Sequence, residues 1–196
     1  TRITRWQHGF IAKRSTVTDL LTLTQFLCEI LHQKYQVDVV YMDLSKAFDR
    51  VDHLKLVDKL DNFGLSNNLL TLFCSYLTDR SQYVQYRGFK STLFKQLSGV
   101  PQGSVLGPLL FVVYINDLSE LLNEHQCHNL LYVDDLKIYS TINNIDDCKK
   151  LRYFIYMVTE WTLENYQSLN RDKCPVVSFS EKTNTRITEY DYKIRN

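Results

Sequence analysis

NLLYVDDLKIYS, residues 129–140, decides how this chain is read. Strand-forming residues stand on both sides of Asp134 and Asp135, so the stretch reads as two strands joined at a pair of aspartates. A hairpin turn is one explanation of the pair. Two-residue turns, however, favour Gly, or Asn followed by Gly, at positive φ, and Asp-Asp supplies neither. A second carboxylate stands in a comparable place. VDVVYMD, residues 37–43, is short and rich in β-branched residues, reads as a buried strand, and ends on Asp43. Taken alone, Asp43 reads as a cap or turn residue. Side by side in one sheet, the two strands would bring three carboxylates to one edge. Like charges that close repel, and either protonation or a cation must relieve them. Oxygen-only ligands suit Mg²⁺, which takes a couple of carboxylates and completes its shell with substrate phosphate and water. Two such ions ~4 Å apart serve in-line phosphoryl transfer, one activating the attacking oxygen and the other steadying the leaving group. Pattern alone therefore points to metal-assisted phosphoryl transfer.

Outward from these strands the hydrophobic period alternates between helix and strand. Leu20, Leu23, Leu27, Ile30 and Leu31 recur at helical spacing in residues 15–34, with Ser15 or Thr16 to cap the start. After Asp43, Ser45 is expected to cap a helix carrying Val51, Leu54, Leu56 and Leu60 that ends near Gly64, and residues 66–77 form another. Residues 82–87 and 92–97 read as strands paired around Gly88, and residues 99–103 break the pattern. Pro108 suits the first turn of a helix running towards Leu122, where its missing N–H has no partner to lose. A helix over residues 146–166 and a strand over 176–179 complete the series. This order predicts an α+β domain, its mainly antiparallel sheet covered by helices on one face.

Composition sets the bounds. The 196 residues are 44% hydrophobic and 23% charged, enough for a real core and unlike a disordered chain. A net charge of +1 does not by itself point to nucleic acid, whose binders often carry a basic excess. The five cysteines (Cys28, Cys74, Cys127, Cys148, Cys174) form no CxxC or Cys/His ligand set and read as reduced thiols of an intracellular protein. No apolar run is long enough for a membrane span and no signal peptide is visible.

Three blocks carry a resemblance. DLSKAFDRVDH (residues 43–53), GVPQGSVLGPLLFVVYINDL (99–118) and LLYVDDLKIYS (130–140) resemble motifs A, B and C of reverse transcriptases of non-LTR retrotransposons, of LINE type and jockey-like, in the family's order. QHGFIAKRST (7–16) resembles the block before motif A, and Trp161, Asn165, Leu169, Asn170, Lys173 and Phe179 fit motif D. The chain departs from the family at Ile11, where Arg is common, and at Tyr132-Val133, where many relatives have Phe-Ala.

The resemblance implies a right-hand polymerase palm, about residues 37–180, with a fingers remnant over about 1–36, the thumb absent and the reverse transcriptase domain (1–196) partial at both ends. It implies that Asp43 and Asp134 bind two Mg²⁺ ions, with Asp135 as a third acidic residue and Mn²⁺ as a possible substitute. Phe48 would sit under the sugar of the incoming nucleotide and exclude a 2′-OH. Without the motif, Phe48 is an ordinary core residue. Gln102 would position nucleotide and template, and Gly103, with Gly99, would let the backbone approach phosphate or sugar closely. Lys173 is the candidate general acid for pyrophosphate, its other reading being a surface lysine. Arg14 and Arg80 are candidate phosphate contacts, with Lys13, Arg87 and Lys90 beside them, whereas Asp49 and Asp52 read as a solvated helix face. The partners implied are template RNA, a DNA primer terminus and deoxynucleoside triphosphates. Two other functions fit the same residues: a non-catalytic retroelement remnant that at most binds RNA, and a group II intron-type reverse transcriptase.

Overall fold

The computed structural model describes residues 3–181 and 188–192. Its central strand is β1 (Gln36–Asp43), which is antiparallel to β7 (Asp135–Ile142) on one side and to β8 (Val176–Phe179) on the other. The strand β6 (His128–Tyr132) pairs with the far edge of β7, giving the order β6-β7-β1-β8. Residues 6–8 lie along β6, where Leu131 N–H donates to the Trp6 carbonyl at 2.9 Å and His8 N–H to the Leu131 carbonyl at 2.7 Å.

The lack of alternation in VDVVYM has a packing cause, because β1 is covered on both faces. On one face, Val40, Met42, Leu131, Leu136 and Ile138 pack against α4 (Leu106–Glu124) and α5 (Ile145–Glu164) in the main core. On the other, Val37, Val39, Leu130 and Tyr139 meet Leu23 of α1 (Thr16–His32) in a second, smaller cluster. Helices therefore flank the antiparallel sheet, the two long ones together and α1 opposite them. Ser15 caps α1 and Asn144 caps α5, each in a reciprocal capping box.

The connection after β1 differs from its sequence reading. Ser45 caps nothing; its N–H donates to the Ser168 carbonyl at 2.7 Å, while Leu44 bridges Leu169. Lys46 turns left-handed and a short 3₁₀ segment, Ala47–Arg50, follows. Asp52, not Ser45, caps α2 (His53–Asn62) by accepting from Lys55 N–H at 2.9 Å. The next helix, α3 (Asn67–Leu77), leads into a hairpin arm. In it β2 (Ser81–Gln82) pairs with β5 (Phe94–Lys95), and β3 (Gln85–Tyr86) pairs with β4 (Phe89–Lys90) about the Gly88 turn. Tyr83-Val84 on one limb face Ser91, Thr92 and Leu93 on the other, so an extra residue splits the ladder in two.

Candidate active site

Asp43 ends β1 and Asp135 begins β7, and the two are direct cross-strand partners, so both side chains leave the same face of the sheet. Tyr132 and Asp135 also pair, which leaves Val133 and Asp134 as a two-residue turn. The aspartates thus do not make the turn together: Asp134 stands in it and Asp135 belongs to the strand. Val133 takes φ 62°, the left-handed position that such turns reserve for glycine. Burial foremost, and then the charges of Asp135 and Asp43, hold the Asp134 carboxyl above its ordinary value. Asp135 is raised likewise, first by burial and next by Asp43, while Lys137 opposes the shift.

Lys173 reaches the same edge from the segment after α5. Asn170 N–H donates to the Asp43 carbonyl at 2.8 Å, which pins the 3₁₀ turn Arg171–Lys173 beside β1. The Lys173 Nζ then lies 3.9 Å from Asp43 Oδ2, on a side chain 68% exposed. Asp43, Asp135, Lys137 and Lys173 line one open cleft of ≈310 Å³ with Tyr41, Met42, Leu136 and Pro175. Lys137 belongs to none of the candidate site residues that the sequence motifs single out. Its available signal is its place two residues after Asp135, on the same face of the strand. The Lys137 ammonium pairs with Asp19 of α1, whose carboxylate is buried and whose Oδ1 has no hydrogen-bond partner among the described residues.

The carboxylates fit a divalent cation. They repel one another at an open edge, and a cation there would relieve this. Among the described residues no three His, Cys, Asp or Glu side chains close into a ready cage. Mg²⁺ does not require one, since it binds through one or two carboxylates and takes its remaining ligands from phosphate and water.

A second cavity, of ≈270 Å³, is lined by Phe48, Gln102 and Gly103 with Phe10, Pro101, Gly107 and Pro108. Phe48 stacks on Phe111 of α4, with ring centroids 4.4 Å apart and planes 19° from parallel, so its ring is braced from behind. Gly99 is required by close packing: a Cβ there would come within 2.9 Å of the Asp49 backbone, and its φ is 89°. Asp49, read from the sequence as a solvated position, accepts from the Gln102 side-chain amide at 2.6 Å. The 3₁₀ turn after β1 and the loop before α4 are also joined by Val100 N–H donating to the Phe48 carbonyl at 3.0 Å.

The two arginines lie elsewhere. Arg14 donates to the Thr4 carbonyl at 3.0 Å and to the Gln7 carbonyl, tying down the N-terminal loop. Arg80 lies over the Tyr76 ring at the base of the hairpin arm.

The family model described as reverse transcriptase (RNA-dependent DNA polymerase) matches residues 1–192. The RNA-directed DNA polymerase from mobile element jockey of Drosophila melanogaster is 29% identical over 188 residues, 92% of this chain and 20% of the relative. The jockey polymerase of Drosophila funebris is 30% identical over 91% of this chain and 20% of its own length. The probable polymerase of the Drosophila melanogaster transposon X-element matches at 30% over the same shares. The chain thus spans about a fifth of the length of these curated relatives. Among solved structures, apo telomerase from Candida tropicalis, truncated from its C-terminal domain, superposes with a TM-score of 0.68 at 18% identity, covering 94% of this chain and 38% of that one. Telomerase from Candida albicans, in complex with a fragment of telomeric RNA, gives 0.65 at 16%, covering 88% and 31%. At these identities the telomerases speak to the fold, and they agree with a palm-like α+β architecture.

Proposed function

The chain belongs to the reverse transcriptase (RNA-dependent DNA polymerase) family, with polymerases of jockey-like non-LTR retrotransposons as its relatives, and we propose that it carries out primer extension on an RNA template. The observation that carries this reading is the meeting of Asp43 and Asp135 across β1 and β7, with Asp134 in the adjoining turn. In this reading residues 37–180 are the palm and residues 1–36 derive from the fingers, although Gln7 bridges Leu131 and α1 lies on the palm sheet.

Asp43 and Asp134 would hold Mg²⁺, with Asp135 adjacent and Mn²⁺ able to substitute. The ions, when bound, favour loss of the proton from the primer 3′-OH and offset charge on the departing pyrophosphate. The 3′ oxygen bonds to the α-phosphorus of a deoxynucleotide as the bond to pyrophosphate breaks. Lys173 supplies a proton to the pyrophosphate, and its place beside Asp43 at the cleft mouth supports that role. Phe48, braced by Phe111, presents a ring to the sugar and excludes a 2′-OH. Gln102, held by Asp49, and Gly103 border the same cavity, where nucleotide and template meet. Arg80 and the cations of the arm offer phosphate contacts, while Arg14 serves the loop first.

Among the described residues no helix is long and apolar enough to cross a membrane. The five free cysteines accord with an intracellular site of action. The test is primer extension on an RNA template with Mg²⁺ and deoxynucleotides, comparing the parent with Asp134→Ala. Extension by the parent alone supports the reading. Equal extension by both removes Asp134 from the chemistry, and extension by neither favours the non-catalytic remnant, which at most binds RNA.

A further inference from the structure

Val133 is the only β-branched residue with positive φ among the described residues, and it directly precedes Asp134. A branched Cβ makes this backbone conformation costly, so something must hold it. The surroundings of the turn identify the holder. The Gln7 side chain is 1% exposed and grips Val133 from both sides: its Oε1 accepts from Val133 N–H at 3.0 Å and its Nε2 donates to the Val133 carbonyl at 3.4 Å. The same Oε1 accepts from Gly9 N–H at 2.8 Å, so the amide has a fixed orientation. Gly9 lets the turn come this close. A Cβ there would run into Val133 Cγ2 and would lie 2.7 Å from Val133 N.

The backbone carrying Gln7 is itself immobilised. Leu131 and Trp6 share a hydrogen bond, as do His8 and Leu131, and Arg14 donates to the Gln7 carbonyl. Thr4 N–H donates to Asn116 Oδ1 of α4 at 2.8 Å. The amide is therefore a fixed bracket on the turn rather than a side chain that happens to reach it.

We propose that Gln7 is a positioning residue for the metal-binding turn, holding Val133 in its left-handed conformation and so aiming the Asp134 carboxylate at the Asp43 edge. This rests on the proposed reading of Asp134 as a metal ligand. Groups that orient a ligand without touching the metal commonly change affinity by about 10- to 100-fold when removed. Gln7 acts on the ligand through its backbone.

Two readouts, both without nucleic acid, test this on the full chain. Hydrogen exchange reports the Val133 amide, and electron paramagnetic resonance reports Mn²⁺ binding. Gln7→Met keeps the length of the side chain and removes the amide. It is expected to lose protection at Val133, but not in the middle of β1, and to bind Mn²⁺ about 10- to 100-fold more weakly. Adding Val133→Gly removes the backbone strain, so the double variant should regain most of the affinity, which a general packing role for Gln7 does not predict. Unchanged Val133 protection or unchanged Mn²⁺ affinity in Gln7→Met overturns the proposal. If Gln7→Met fails to fold, a folded, Mn²⁺-binding double variant supports it, and a double variant that also fails to fold overturns it. Asp134→Asn separates the two readings. Should the parent bind no more Mn²⁺ than Asp134→Asn, the metal reading falls and the positioning role with it, while lost protection in Gln7→Met would still reveal the bracket.

Discussion

Burial and two neighbouring carboxylates raise the Asp134 carboxyl in the fold, so its ionised form is the disfavoured one there. Such a group favours the fold while protonated, and that contribution disappears as pH rises through its raised value. At neutral pH without divalent cations, Asp134→Asn should therefore melt at a higher temperature than the parent. Mg²⁺ should raise the melting temperature of the parent and leave the variant unmoved. Melting curves with EDTA and with Mg²⁺ check this, and a variant that melts lower in EDTA contradicts it. Asp43, Phe48, Gln102 and Asp134 stand out in the sequence as candidates because each lies in a contiguous motif of recognisable residue types. Gln7 and Lys137 do not, because their importance depends on partners far along the chain. Gln7 meets Val133 across 126 positions and Lys137 meets Asp19 across 118. Asp49 is exposed, as its solvated reading expects, but its partner Gln102 comes from another segment and leaves no sign in the local sequence.

The docking of α1 on the sheet illustrates the problem at the next scale. Its periodic leucines lie in a helix as their spacing predicts, yet Leu20 is 56% exposed while Leu23 is buried. What periodicity could not reveal is the ion pair that locks the helix down, between Asp19 of α1 and Lys137 of β7, with side chains 3% and 11% exposed. Breaking such a pair by removing one partner strands the other charge. Asp19→Ala should therefore lower stability by about 3–5 kcal/mol, whereas the paired replacement Asp19→Leu with Lys137→Met should stay near the parent. Urea denaturation of the three proteins measures the difference, and a mild effect of Asp19→Ala would show that water reaches Lys137. The helix after β1 was misplaced because Ser45, a good cap by type, spends its backbone on the Ser168 carbonyl. The hairpin arm was seen, but not the break in its ladder, since an inserted residue leaves no mark on composition.

At the scale of the whole molecule, the stability that His8 contributes should fall on mild acidification. His8 is buried, and burial foremost holds its imidazole below the ordinary 6.5, with Arg14 and Lys137 adding to the effect against Asp19. The unfolded chain thus takes up this proton more readily than the fold does. The His8 contribution is intact above pH 6.5 and diminishes as pH drops below it. Asp134 and Asp135 act in the opposite sense over a window that opens near 3.8 and extends upward. Comparing melts at pH about 7.5 and about 5.5, His8→Gln should lose less stability than the parent; an equal loss would assign the effect to other groups. The α+β class followed from element order, whereas the antiparallel pairing of β1 with β7 is seen only in the structure. That pairing also governs how the chain must assemble. In β1, Gln36 waits for Ile142 and Val37 for Phe179, so the central strand is synthesised long before either of its neighbours. Closing such long loops is slow. Throughout that interval both edges of β1 offer unpaired backbone groups and both faces offer bare valines, which makes it the segment most open to the wrong partner on a growing or stalled chain.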